Sequence, residues 1–309
     1  MQKFLVLQSL WAMQNLRDVP QERSLAENVA LIKEAGFDGI STMWEDDATA
    51  SASAAVAQEH GLIMEGTCLP TDLDQVPPAL ERGVRHGLHH LNLQLNFRPR
   101  RLSEAVAALE RLDAMARQVD FPVYVETHRG RLTNDLLFTL DLLDALPNLK
   151  LLGDLSHYVV AREIELPVSA ETDAQITRIL DHVWAFHGRV AGSGQVQLPI
   201  SFPQHQPYVD QFAQWWQRGF RSWRQRAAPD AELTFVCELG PQPYYAIPGP
   251  DGRDLTDRWK ESLTMQKLVR ELWEEAGGRP TASEEVGRGI YPSRFRELRL
   301  RRSPKSGSR

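Results

Sequence analysis

Cysteine is nearly absent: Cys68 and Cys237 are the two in 309 residues. A disulfide framework is therefore not what holds this chain, and a reducing, cytoplasmic setting is the expectation. Long apolar runs are missing too. None approaches the ~20 residues that span a bilayer, so no membrane partner is expected. The apolar start from Phe4 to Met13 is broken by Gln8 and precedes no small-residue cleavage site. It reads as a first strand rather than a signal peptide. Glycine and proline, 20 and 19 residues, are too few and too scattered for a collagen-like or low-complexity chain. Neither a G-x-G-x-x-G nor a Walker pattern occurs, and Gly192-Ser193-Gly194 lacks the third glycine. That removes the usual phosphate loop of a doubly wound sheet, the runner-up architecture.

Positive charge is scarce over most of the chain. The net charge is −6, but from Arg288 onward eight basic residues face a single acid, Glu297, which leaves −13 for residues 1–287. A body this acidic argues against nucleic acid as a partner. The basic tail reads as a solvated end that could touch an anion.

What is present is a rhythm. Strand-like runs fall at 3–12, 38–44, 62–69, 89–96, 121–128, 148–157, 182–190 and 232–240. Amphipathic stretches separate them. Ser24 and Glu27 form a capping box, with Val29, Leu31, Ile32 and Ala35 as the stripe and Gly36 at the C-terminal stop. Helices are predicted over about 48–60, 72–86, 103–118 and 171–182, another capped by Thr133 or Asn134, and a last over 255–276. The last presents Leu255, Trp259, Leu263, Leu268, Leu272 and Trp273 inward and stops at Gly277. Eight strands, each followed by a helix-like segment, predict an α/β fold, a single (β/α)8 TIM barrel over residues 1–276 with a basic extension over 277–309. One connection is long: 41 residues separate Val190 from Glu232. It is too aromatic for disorder. Its first part reads as an active-site loop and 207–225 as a helix, with its tryptophans packed on the barrel.

Barrel chemistry sits at the C-terminal ends of strands. There the fifth strand carries Glu126, Thr127, His128 and Arg129. The sixth carries Asp154, Ser156 and His157, the seventh His187 and Arg189 followed by Gln195 and Gln197, and the eighth Glu238. Three carboxylates around one point repel one another, so a divalent cation is the economical counter-charge. Oxygen ligands with one imidazole suit Mn²⁺, Mg²⁺ or Zn²⁺ alike. His89, His90, His182 and His205 carry no partner signal and read as structural. Cys237 points into packing and Cys68 toward the pocket, with no base beside either to make a nucleophile. Trp11, Trp44 and Trp184 fall on strands and either wall the site or fill the core.

The stretches VYVETH, LLGDLSH, WAFHGR and FVCELG resemble those of the xylose isomerase-like TIM barrels, the broad group of sugar isomerases and epimerases that includes endonuclease IV. The resemblance implies one divalent metal on Glu126, Asp154, His187 and Glu238, and a D-x-x-H histidine at His157. It further implies proton removal and return by Glu126 and Glu238, with the enediolate held by the metal and His157. His128, Arg129, Arg189 and Gln197 are the expected substrate contacts, although Arg189 lies nearer His187 than its counterpart in the epimerases does. The reading is a metal-dependent isomerase or epimerase of a small sugar or polyhydroxy acid. The alternatives are a metal-dependent lyase or dehydratase, a non-catalytic binding barrel and an endonuclease IV-like repair enzyme. Homo-oligomerisation stays open.

Overall fold

The computed structural model describes residues 1–19 and 21–277. The expected basic extension, from residue 278 on, lies outside the described residues. Eight strands close a parallel barrel in sequential order. They are β1 (Lys3–Ser9), β2 (Gly39–Met43), β3 (Ile63–Cys68), β4 (His90–Leu93), β5 (Val123–Glu126), β6 (Leu151–Gly153), β7 (Val183–Gly188) and β8 (Glu232–Cys237). The helices are α1 (Leu25–Glu34), α2 (Asp47–Glu59), α3 (Val76–His86), α4 (Leu102–Ala116), α5 (Leu136–Ala145), α6 (Ser156–Ala161), α7 (Ala170–Leu180), α8 (Gln206–Arg226) and α9 (Arg258–Gly277). This is the predicted TIM barrel. Among the described residues no helix is long and apolar enough to cross a membrane.

Local chemistry sets the element ends. The Ser24–Glu27 capping box opens α1 through two reciprocal backbone contacts. Gly36 follows that helix at φ +78°, the left-handed stop that lacks a Cβ penalty. The fifth helix is capped by Asp135, which accepts from the Phe138 N–H at 2.8 Å, and not by Thr133 or Asn134. Thr133 is spent elsewhere, on the backbone of the site. The sixth strand is shorter than the predicted 148–157. Ser156 donates to Asp154 Oδ1 through both N–H (3.0 Å) and Oγ (2.5 Å), which turns the chain out of the sheet directly after Asp154.

Outside the barrel, the long connection after β7 becomes α8. Its Phe212, Trp215, Trp216, Phe220 and Trp223 are buried. Phe220 and Trp273 both lie 5.0 Å, centroid to centroid, from Phe4 on β1, and Trp216 lies 5.2 Å from Phe235 on β8. Each such side chain contributes about 1.5–3 kcal/mol on full burial, so the aromatics of this insertion are core. The inner face of α9 keeps the predicted Trp273, with Trp259, Leu263, Leu268 and Leu272 packed against the core, but it is more polar than predicted. It buries Arg258, Glu261, Ser262, Met265, Val269, Trp273 and Ala276, while Leu255 is exposed and the other leucines flank the core. The reason is Arg258. Its guanidinium donates to the carbonyls of Ala12, Gln14, Asn15 and Leu239 and pairs with Asp254, tying the loops after β1 and β8 to the start of α9. A hydrophobic stripe cannot reveal a buried arginine that is fully hydrogen-bonded.

Candidate metal and substrate site

Side chains alternate along a strand, so every second residue faces the barrel interior. At the C-terminal mouth those positions are Glu126, the last residue of β5, Asp154, just past β6, His187 on β7 and Glu238, just past β8. Backbone clips set their spacing. The Thr127 hydroxyl donates to the Asp154 carbonyl (3.0 Å) and accepts from the Asp154 N–H (2.9 Å), joining the ends of β5 and β6. Thr133 donates to the Glu126 carbonyl (2.5 Å) and accepts from the His128 N–H (3.0 Å). Gly188 lets β7 lie close to the outer core: a Cβ there would sit 2.1 Å from the Phe235 ring.

The buried acids and bases are partly paired. Asn92 donates to Glu126 Oε2 at 2.5 Å. His187 Nδ1 lies 3.1 Å from Glu238 Oε2 and 3.9 Å from Glu126 Oε2. Arg189 pairs with the Glu238 carboxylate, donates to its carbonyl at 3.0 Å, and holds Nη1 3.5 Å from Asp154 Oδ2. The Tyr245 ring packs against this guanidinium at 4.1 Å. Asp154 Oδ2 also faces His157 Nε2 at 3.4 Å, and the rings of His157 and His128 lie 3.7 Å apart.

Several buried polar atoms here have no hydrogen-bond partner: Glu126 Oε1, Asp154 Oδ2, Asn92 Oδ1, Gln197 Oε1, Gln8 Oε1, Arg189 Nη1 and both nitrogens of His157. Leaving such groups unsatisfied costs about 1–3 kcal/mol each. A set of them at one end of a barrel marks a place built for something else to bind.

The electrostatics divide the two glutamates. Burial, reinforced by Glu238 and Asp154 against the opposing pull of His187, raises the Glu126 carboxyl to about 8. Glu238 is buried too, but His187 and Arg189 outweigh that and hold it below the usual carboxylate value. Burial raises Asp154 despite Arg189. It lowers His128 to about 3 and His157 well below the ordinary imidazole value, so both are neutral. His187 goes the other way: burial is outweighed by Glu65, Glu238 and Glu126, and the ring is held charged while no cation is present.

Two groups of donors lie within 4.8 Å of one another among the described residues: Glu126, His187 and Glu238, and Glu126, His128 and His157. Two carboxylates and an imidazole nitrogen facing one point, with an unpartnered carboxylate oxygen on Glu126, suit a divalent cation. Asp154 stands beside this trio, against Arg189 and His157.

The remaining candidates fall as follows. Gln197 donates to the Gly240 carbonyl at 3.0 Å, linking the loops after β7 and β8. Arg129 lies 5.4 Å over the Tyr245 ring, and Arg131 donates to Asn96 at 3.0 Å. Trp11 lies past the end of β1 and meets Tyr245 edge-on at 5.1 Å, whereas Trp44 is core and Trp184 packs under Lys150 and Arg226. Cys68 donates to the Trp44 carbonyl, and burial pushes its thiol up to about 12.

Three residues escaped the sequence reading. Tyr245, in the loop after β8, walls the mouth; its only signal was position. Glu65, mid-strand on β3, is fully buried and lies 2.8 Å from His187 Nε2. Its signal is a carboxylate inside the apolar run LIMEGTCL, away from the strand ends where barrel chemistry gathers. His90 has a partner after all: its Nε2 lies 2.7 Å from Glu65.

No protein-family model matches this chain, and no curated protein matches it. Solved structures do. A xylose isomerase-like TIM barrel protein from Mycobacterium smegmatis, in complex with magnesium, has 12% identity and a TM-score of 0.56, over 87% of this chain and 97% of that chain. A D-tagatose 3-epimerase-like protein has 12% identity and a TM-score of 0.55, over 89% and 100%. A sugar phosphate isomerase/epimerase from Parabacteroides distasonis ATCC 8503 has 8% identity and a TM-score of 0.55, over 89% and 96%. At such identities the likeness establishes the fold: the chain is built as the xylose isomerase-like TIM barrels are.

Proposed function

We propose that this protein is a divalent-metal-dependent isomerase or epimerase of a small sugar or polyhydroxy acid, housed in the barrel of residues 1–276. One observation carries the reading: the donor trio Glu126, His187 and Glu238 stands among buried polar atoms that lack partners. Three of those atoms, on Gln8, Asn92 and Gln197, are amide oxygens, which want donors such as substrate hydroxyls. The structural neighbours named above include sugar epimerase-like proteins and one holding magnesium, which supports the same class.

Mn²⁺, Mg²⁺ or Zn²⁺ on Glu126, His187 and Glu238, with Asp154 as the fourth donor, would polarise a substrate carbonyl and acidify the neighbouring C–H. The rest is the work of this chain's side chains. Glu238, kept ionised by His187 and Arg189, takes the proton. Glu126, across the mouth on β5, takes up a solvent proton and returns it at the neighbouring carbon or the opposite face. Neutral His157 donates to the oxygen that gains charge. His128 and Arg129 meet substrate hydroxyl or anionic groups at the rim, while Arg189 holds Glu238 and Asp154 in place. The acidic body fits a small-molecule substrate better than nucleic acid, and the near absence of cysteine fits the cytoplasm.

The test is solvent exchange. The purified protein, loaded in turn with Mn²⁺, Mg²⁺ and Zn²⁺, is incubated in D₂O with a panel of aldoses, ketoses and hydroxy acids and followed by NMR. Deuterium entering the carbon beside a carbonyl, abolished by EDTA, supports the proposal. Release of water with an enone product would assign a lyase instead. Metal occupancy with no exchange across the panel would leave a binding barrel.

A further inference from the structure

Glu65 has no role in the proton transfers above, yet it is the most completely partnered carboxylate inside the barrel. Its Oε1 accepts from Ser41 at 2.7 Å, from His187 Nε2 at 2.8 Å and from Thr67 at 3.5 Å, and its Oε2 faces His90 Nε2 at 2.7 Å. β3 and β7 are not neighbours in the sheet, so the Glu65–His187 contact crosses the interior. It joins the site to a residue that the strand ends do not supply.

The chain of contacts continues downward. His90 Nδ1 lies 2.9 Å from His89 Nδ1, and His89 Nε2 lies 3.0 Å from Glu232 Oε2. His90 and His187 thus stand on either side of Glu65 and partner a carboxylate that, unpaired, could not stay ionised in the barrel interior.

We infer that Glu65 is a positioning residue: it holds His187 with Nε2–H bound across the barrel, so that Nδ1 is the nitrogen offered between Glu126 and Glu238. The geometry is a carboxylate behind an imidazole, the arrangement that fixes tautomer and ring orientation in metal-ligating histidines. The inference rests on the proposed metal site, but its test has an arm that does not.

The first arm is affinity. Zn²⁺ binding to the full chain, measured by calorimetry, is expected to weaken about 10–100-fold in Glu65→Gln, with the circular dichroism spectrum retained. A folded Glu65→Gln that binds Zn²⁺ as the unaltered protein does would overturn the inference. The second arm uses the unaltered protein, so it survives a variant that fails to fold. In ¹H–¹⁵N correlation spectra of the histidine side chains, His187 should show an exchange-protected, downfield Nε2–H, with and without Zn²⁺. A bare Nε2 with the hydrogen on Nδ1 would sink it. If no divalent ion binds at all, the proposed function falls, while the Nε2 signal still decides what Glu65 does.

Discussion

The two ends of the barrel interior are made of the same residue types and behave in opposite ways. Toward the N-terminal end, Glu65, His90, His89 and Glu232 form a line in which each group meets its neighbour, and Lys3 closes it at the surface 2.7 Å from Glu232. Toward the mouth, Glu126, Asp154, His157 and Arg189 are as buried as Glu65 and His90 but leave polar atoms without hydrogen-bond partners. Burial and residue type do not separate structure from function here. Satisfaction does: a polar group that has found its partners stabilises the fold, and one left without them waits for a ligand.

The largest effect expected from that contrast is catalytic. Glu238→Gln keeps the shape of the side chain and removes the base. Turnover should fall at least 10²–10⁴-fold, the usual range for a positioned proton-transfer group, with metal binding weakened far less. Steady-state assays on whichever substrate exchanges deuterium will show it. Survival of turnover within tenfold would reassign the base. Next comes stability, where the ends should trade places. His90→Ala strips Glu65 of its main partner toward the lower end and should cost about 3–5 kcal/mol, the usual cost of breaking a buried pair. Glu126→Gln replaces a carboxyl that burial already keeps from ionising, so metal-free protein should lose little stability or gain some. Urea unfolding in EDTA measures both. Equal losses at the two ends would break the comparison.

The sequence made one half of this contrast legible. Polar residues after four apolar ones, on four consecutive strands, pointed to Glu126, Asp154, His187 and Glu238 because strand alternation and barrel topology together say where such a residue must go. The order of the eight strands was readable for the same reason. Glu65 was not, because its meaning depends on a partner 122 residues away on a strand that is not its neighbour. Nor was Arg258, since periodicity reports hydrophobicity and not hydrogen bonding. Thr133 was misread because a threonine at a plausible cap position has another use, and the competing Asp135 decides the matter locally.

A third effect separates the ends by pH. Without metal, Glu126 binds its proton up to about 8, and His187 is held charged. A cation held by Glu126 and by His187 Nδ1 must displace a proton from each, so its affinity should rise more than tenfold per pH unit from 6 and less steeply once Glu126 has ionised above about 8. The same raised value means that the metal-free fold loses stability as pH rises from the ordinary carboxylate value of 4.5 to about 8, because the folded state binds the proton that the unfolded chain releases. Glu65 contributes no slope there. Burial alone would push Glu65 up, but His187 and His90 hold it far below 4.5. Its stabilisation is complete above 4.5 and is lost only in strong acid. Calorimetric titrations at pH 6, 7, 8 and 9 check the first claim; a slope unchanged on either side of 8 would show that Glu126 is not a ligand.

The smallest effect tests where the paired line ends. Lys3 is 64% exposed and Glu232 is 29% exposed, so water and salt compete with their ion pair. At 0.1 M salt the Debye length is about 10 Å, and exposed pairs of this kind contribute little. Glu232 keeps His89 as a partner when Lys3 is gone, and that contact lies deeper. Lys3→Gln should therefore leave the melting temperature nearly unchanged, with the residual difference vanishing in 0.5 M NaCl, whereas the loss in His90→Ala should persist at that salt. A large, salt-resistant loss in Lys3→Gln would mean that the line of pairs draws its stability from the surface inward, and that His90 and His187 do not sustain Glu65 unaided.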